Sequence, residues 1–309
     1  MKNQKSFRMQ LPLQVFALVG MIYLLIFNII PMFGIVMAFK DYDISMGISG
    51  IFTSKWVGMK YFKEFFASPN FAQLVRNTVG ISIYKLIFTF PIPILFAITI
   101  NEMRNIICKK VVQTASYLPH FISWVIIGGI ATQFLSSRGV INTFLVNTGL
   151  TKDPIGFLTD PNLFWGFAVV SDIWKEMGWW AIIFSAAIVG ISPDLYEAAE
   201  IDGASRLQRI WHITLPGIRE TTVVVLILAL GNLFGGGLSG SNFDQSFLLG
   251  NTMNQSASEI IQSYTFRVGL SQGRYAYATA VGIVQSIISL ILIFSSNTIS
   301  KHISGLGIF

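Results

Sequence analysis

Charge is what this chain has least of. Of its 309 residues only 12% are Asp, Glu, Lys or Arg, while 53% are hydrophobic and mean hydropathy is +0.63. Soluble domains carry about a quarter of their residues charged, so this allotment does not cover a water-exposed surface and excludes a soluble fold of this length. The abundance of large apolar side chains excludes intrinsic disorder. Cysteine is nearly missing too: Cys108 alone supplies neither an intrachain disulfide framework nor a thiolate metal cluster. His120 and His212 stand at no ligand spacing to it or to each other, and no metal site is expected. No nucleophile–base set is evident, so no catalytic residue is expected and the chain does not read as an enzyme. The phosphate-binding pattern G-x-x-x-x-G-K-[ST] is absent. Neither an internal repeat of roughly 20–50 residues nor an inverted repeat of the secondary-transporter kind is visible.

What the chain has instead is apolar length. A hydrocarbon core about 30 Å thick needs roughly 20 apolar residues per helix, and blocks of that size fall at 11–39, 77–100, 111–135, 162–190, 218–237 and 275–299. The reading is an all-α polytopic membrane protein with six transmembrane helices. Residues 1–70 form an N-terminal span and outer loop, 71–300 a five-span core, and 301–309 a tail. The 29-residue apolar stretch at 11–39 outruns a signal-peptide core and meets no small-x-small site, so it reads as a retained helix.

The net charge of +6 and pI near 9.4 come from short basic runs between the apolar blocks. That pattern fits positive-inside topology better than nucleic-acid binding, and no nucleic-acid partner is expected. Lys2, Lys5, Arg8, Arg104, Lys109, Lys110, Arg206, Arg209, Arg219 and Lys301 share one set of alternate segments, denser in charge than the other set. That set is expected in the cytosol: both termini, the 101–110 loop and the 191–217 loop.

The 191–217 loop carries the strongest pattern. Ser192 or Asp194 can cap a helix at Pro193, Glu197 and Glu200 sit where the helix dipole favours anions, and Gly203 can close the helix near Ile201. A second helix from about Ser205 would place Leu207, Ile210, Trp211 and Leu215 on nearly one face, up to Pro216. From the residues alone this is either a connecting hairpin or a dock.

Glu197, Ala198, Ala199, Asp202, Gly203, Ala204, Ile213, Leu215 and Pro216 stand in an order and spacing that resembles the EAA loop of membrane subunits of binding-protein-dependent ABC importers. The stretches at 116–124, 171–179 and 274–282 resemble the oligosaccharide branch of that family. One departure is Glu220, where that branch usually has a second proline, and it bears on the kink at the start of span five. The resemblance implies a type I importer fold whose EAA loop docks on a separate ATPase, which would hold ATP and Mg. It also implies a second, different permease subunit, an extracytoplasmic solute-binding protein and a carbohydrate substrate, with no cofactor in this chain. Small Ala198, Ala199, Gly203 and Ala204 would permit close approach, and Glu197 would pair with a basic group on the ATPase.

Ionisable groups inside a span mark a pathway or an ion pair. Asp172, Lys175 and Glu176 share span four, where Asp172 and Lys175 at i,i+3 are able to pair; a structural pair and a translocation role both remain open. Trp174 and Trp179 flank these charges, either as interfacial aromatics or as faces on which a sugar can stack. In span five Asn232 follows an apolar run and precedes Gly235, Gly236 and Gly237, which serve either close helix packing or a loosened helix. The resemblance places sugar-contacting side chains in these two spans, with Asn232 first, then Trp179 and Trp174. Lys85 reads as a snorkelling or packing residue, Pro91 and Pro93 as a kink, and the polar 238–274 stretch as an outward loop. Two other classes stand beside this one: an ion-coupled secondary transporter, which needs no ATPase dock, and an intramembrane enzyme, for which the sequence offers no facing catalytic pair.

Overall fold

The computed structural model of the chain describes residues 2–305. The side chains of Lys2, Lys5 and Arg8, used for orientation, and the 306–309 end of the expected tail lie outside the described residues. Among the described residues the fold is helical, with one isolated bridge between Lys40 and Trp56. Three helices are long and apolar enough to span on their own: Leu11–Phe39, Phe71–Asn101 and Tyr275–His302. Three further pairs of helices are long and apolar enough only when taken together, each pair bent at a short break. Ile106–Phe121 meets Trp124–Phe134 at 97°, Pro161–Val189 meets Pro193–Ile201 at 70°, and Arg206–Gly217 meets Arg219–Gly231 at 61°. The unbroken apolar block at 111–135 is thus a broken span. Ile122 and Ser123 turn extended, and the Ser123 hydroxyl caps a fresh helix by accepting from the Ile126 N–H at 3.4 Å. The kink before span five, which Glu220 in place of a second proline put in question, is present at Ile218.

Residue contacts divide the chain into two units, Met1–Ser68 with Thr265–Val284, and Pro69–Tyr264 with Gln285–Phe309. In the first unit, Asp41 N–H donates to Lys55 at 2.8 Å, Val57 N–H donates to Phe39 at 2.8 Å, and the Phe39 and Trp56 rings stack. The Tyr61 hydroxyl donates to Asp41 at 2.7 Å. Burial, with that carboxylate beside it, pushes Tyr61 up to about 12, and the same bond together with Lys60 holds Asp41 below the usual carboxylate range. Arg274 pairs with Glu64 at 2.6 Å and lies over the Tyr277 ring. The most apolar window of the first span has none of its residues buried. A chargeless helix exposed on all sides is at rest only in hydrocarbon or against another apolar chain.

The second unit packs spans two and four together. A side chain at Gly80 would overlap the Trp165 ring, and one at Gly178 would strike the Ser116 backbone, so both approaches need glycine. Ala97, Ile98, Ala181, Phe184, Ile188, Ile218 and Val225 form one apolar core, and Ile81, Phe164, Leu249 and Ile260 belong to another.

The 238–274 stretch, read as an outward polar loop, is largely folded into this unit. Asn242, Gln245 and Asn254 are 0–2% exposed. Gln245 donates to Ala168 O at 2.9 Å, Asn242 to Ser82 Oγ at 3.1 Å and Asn254 to Leu158 O at 2.8 Å, so the amide NH2 groups bond to spans two and four and to the loop before span four, while the Oδ1 of Asn242 and the Oε1 of Gln245 are buried without a partner.

The deepest link is ionic. Lys85 Nζ, fully buried, lies 3.7 Å from Asp172 Oδ1 and donates to Ser241 Oγ at 2.6 Å, which in turn donates to Asp172 at 2.6 Å. Asp172 therefore does not pair with Lys175 along its own helix, as the i,i+3 spacing suggested. Lys175 turns to Glu176 and His120 instead. Breaking a buried pair on one side costs roughly 3–5 kcal/mol, far more than removing both charges together. Lys85→Met and Asp172→Leu are each expected to lower the unfolding midpoint of the purified protein sharply, and the double substitution to recover most of the loss; additive losses in a thermal melt would refute the pairing.

Candidate functional site

The 191–217 hairpin forms where the local chemistry places it. Ser192 Oγ accepts from Asp194 N–H at 3.3 Å, Pro193 fills the first helical position, and the helix runs Pro193–Ile201. Gly203 ends it at φ +77°, with Gly203 N–H bonded to Glu200 O at 3.1 Å and Ala204 N–H to Ala199 O at 2.8 Å. This double closure is a Schellman motif, and its left-handed residue is the Gly of the EAA pattern. Ser205 and Gln208 then build a reciprocal capping box that starts the second helix. Arg209 bridges back to Glu200 at 3.3 Å, and the Tyr196 hydroxyl bonds Thr214 Oγ1 at 3.0 Å.

The expected common face of Leu207, Ile210, Trp211 and Leu215 is split. Ile210 and Leu215 pack on the core of spans two, four and five, whereas Leu207 and Trp211 are 69% and 66% exposed. The π-helical turn at Ile210–Thr214 inserts extra residue per turn and slips the register. Leu195 and Ile201 are exposed on the first helix as well. Large apolar side chains left bare on a hairpin rich in charge mark a surface for another protein. Glu197, Ala198, Asp202, Gly203 and Pro216 lie exposed on the same hairpin, with Ala199 and Ala204 half-buried beside them.

A second cluster lies on span four. Trp179 stacks on the His120 ring, with centroids 4.2 Å apart and planes 1° from parallel, and Phe121 meets Trp179 edge-on. Behind this plate Glu176 Oε2 lies 2.7 Å from His120 Nδ1, and Lys175 Nζ donates to Glu176 Oε1 at 2.9 Å and to His120 O at 2.6 Å. Lys175 and Glu176 are buried, while Trp179 is 37% exposed. The result is an open aromatic face backed by a neutralised ion pair, a surface on which a polar molecule with apolar faces can slide.

Of the other side chains read as pathway residues, Asp172 belongs to the Lys85 lock. Trp174, five residues before Trp179, points about 140° away around the helix. Asn232 is exposed and donates to Gly237 O at 3.0 Å, closing the turn that ends span five. His120, central to the plate, was missed by sequence reasoning. The available signal was its place beside Pro119, where an apolar span breaks.

Residues 89–305 match the family described as binding-protein-dependent transport system inner membrane component. The chain is 42% identical over 291 residues to Protein LplB of Bacillus subtilis (strain 168), covering 94% of this chain and 88% of that protein. It is equally similar, at the same coverage, to the polygalacturonan/rhamnogalacturonan transport system permease protein YteP of the same organism. It superposes with a TM-score of 0.87 and 38% identity, over 100% of both chains, on a chain of the bacterial alginate ABC transporter solved in complex with an alginate pentasaccharide-bound periplasmic protein. The chain belongs to the inner-membrane components of binding-protein-dependent transport systems.

Proposed function

We propose that this chain is the membrane subunit of an ATP-driven importer that passes a carbohydrate, in oligosaccharide form, from an extracytoplasmic binding protein to the cytosol. The carrying observation is the 191–217 hairpin: two capped helices joined at a left-handed glycine and presenting bare apolar side chains among charges. A separate ATPase subunit, holding ATP and Mg, docks there, and both chain termini lie on that cytosolic side. The similar permease for polygalacturonan and rhamnogalacturonan, and the alginate transporter, support a sugar substrate. The second of these, solved with its periplasmic protein, supports a binding-protein partner. A second, different permease subunit completes the path. The His120–Trp179 plate is the sugar-facing wall, with Asn232 at the end of span five as a further contact. An ion-coupled mechanism has no support in the family to which the chain belongs.

Two outcomes follow. Gly203→Asp meets no atom within 4 Å, and at φ +77° it strains the backbone by about 1 kcal/mol, less than most residues because Asp visits the left-handed region, so the hairpin itself is expected to survive. The carboxylate would instead sit in the closely packed dock; insertion is expected to be normal while uptake falls to background. Normal uptake by that variant would sink the docking assignment. Trp179→Ala is expected to lower sugar uptake roughly tenfold, the loss of about 1.4 kcal/mol of stacking, with a rise in half-saturating concentration. Uptake kinetics identical to the parent chain would remove the plate from the path.

A further inference from the structure

A groove opens along span five and the last helix, apart from both the plate and the hairpin. It encloses about 310 Å³ and is lined by Arg219, Val223, Leu226, Leu230, Ser296 and Ile299, among others. Its walls are apolar over most of their length, and its cation sits at one end. Among the described residues Arg219 makes no ion pair, and the neighbouring Glu220, one position along the helix, does not face it. Arg219 to Leu230 is eleven steps along one helix, a rise of about 16 Å at 1.5 Å per residue. That is the depth of about one leaflet, half of the ~30 Å hydrocarbon core. Lys301 adds positive charge in the last turn of the final helix, the helix that supplies Ser296 and Ile299.

A guanidinium without a partner at the head of an apolar trough one leaflet deep is the complement of one class of molecule. We propose that the groove binds an anionic phospholipid of the cytosolic leaflet, its phosphate on Arg219 and an acyl chain along Val223, Leu226, Leu230 and Ile299. Guanidinium and phosphate make paired charge-assisted hydrogen bonds. The apolar trough is what separates a lipid from a free phosphate. Because Arg219 opens span five directly after the 61° bend from the hairpin, the lipid lies where movement of the hairpin enters the membrane.

The test is native mass spectrometry of the full-length chain, released from detergent after titration with dioleoylphosphatidylglycerol, dioleoylphosphatidylcholine or glycerol 3-phosphate. Phosphatidylglycerol is expected to be retained at about fivefold lower concentration than phosphatidylcholine, the factor corresponding to about 1 kcal/mol per basic residue at an anionic surface, with glycerol 3-phosphate not retained. Arg219→Gln should erase the difference between the lipids and Arg219→Lys keep most of it. Val223→Trp, which fills the trough and leaves the cation, should weaken retention of both lipids. Equal retention of the two lipids by the parent chain, or an unchanged preference in Arg219→Gln, would overturn the proposal. So would retention of glycerol 3-phosphate as strong as that of the lipid, which would make the site a phosphate site. Efficient cross-linking of Ile299→Cys, in a Cys108→Ser background, to a second permease in native membranes would also overturn it, since a protein helix would then fill the groove.

Discussion

The bond on which the second unit depends is the buried contact of Lys85 with Asp172 and Ser241. A lone charge in a hydrocarbon-bounded interior is so unfavourable that it is either matched or displaced. Matching Lys85 requires span four at one distance and rotation, and it requires the chain beyond span five to turn back and deliver a hydroxyl. The glycines after Asn232 make that return possible. Gly236 and Gly237 take φ +112° and +64°, and a side chain on Gly236 would press on the backbone of Ser241 and Asn242. Gly231 is different in kind: it admits the side chain of Ile293 from the last helix. One run of glycine thus does two jobs, helix packing at its start and backbone reversal at its end.

With span four fixed at Asp172, its remaining length connects two surfaces. The plate of Trp179 and His120 lies two turns beyond the lock, and the core residues Phe184 and Ile188 follow. Past them the chain bends 70° into the hairpin. Ile210 and Leu215 return from the hairpin's second helix to the same core, where Ile218 and Val225 of span five also pack. A force on the hairpin therefore reaches spans four and five through close-packed side chains rather than through loops. Interiors at crystal-like density have low compressibility and transmit strain, so a displacement of the hairpin would be passed to the core that spans four and five share.

Much of this was readable in the sequence because it rests on local chemistry. The six apolar blocks all lie on helices, Ser192, Pro193 and Gly203 mark the first helix of the hairpin to the residue, and Ser205 marks the start of the second. What was not readable depends on partners distant in the chain. Lys85 could not be assigned to Asp172, 87 positions away, when Lys175 stood three residues from the same carboxylate. The π-helical turn that separates Trp211 from Ile210 leaves no mark in a pattern read at 3.6 residues per turn. The break in span three hid inside an unbroken apolar run, because hydropathy reports where a chain rests and not how its helix axis turns. The buried amides of Asn242, Gln245 and Asn254 looked like solvated loop residues because polarity alone does not distinguish an amide bonded to water from one bonded to backbone.

The exposed apolar surfaces of the chain divide by the charges among them. On the first span no charge interrupts residues 11–39, so its bare faces are compatible with lipid tails along their whole length. On the hairpin, Leu195, Ile201, Leu207 and Trp211 alternate with Glu197, Glu200, Arg206 and Arg209, and no rotation of those helices puts the first group in hydrocarbon without dragging the second after it. Water is a poor resting place for such side chains and hydrocarbon is closed to their neighbours, which leaves a protein surface as the medium that satisfies both. The groove headed by Arg219 falls between these cases, apolar along its length and charged at one end, which is the polarity profile of the membrane leaflet itself. Scarcity of charge makes the chain a membrane protein, and the placement of the few charges it keeps decides which of its bare surfaces meet lipid and which meet protein.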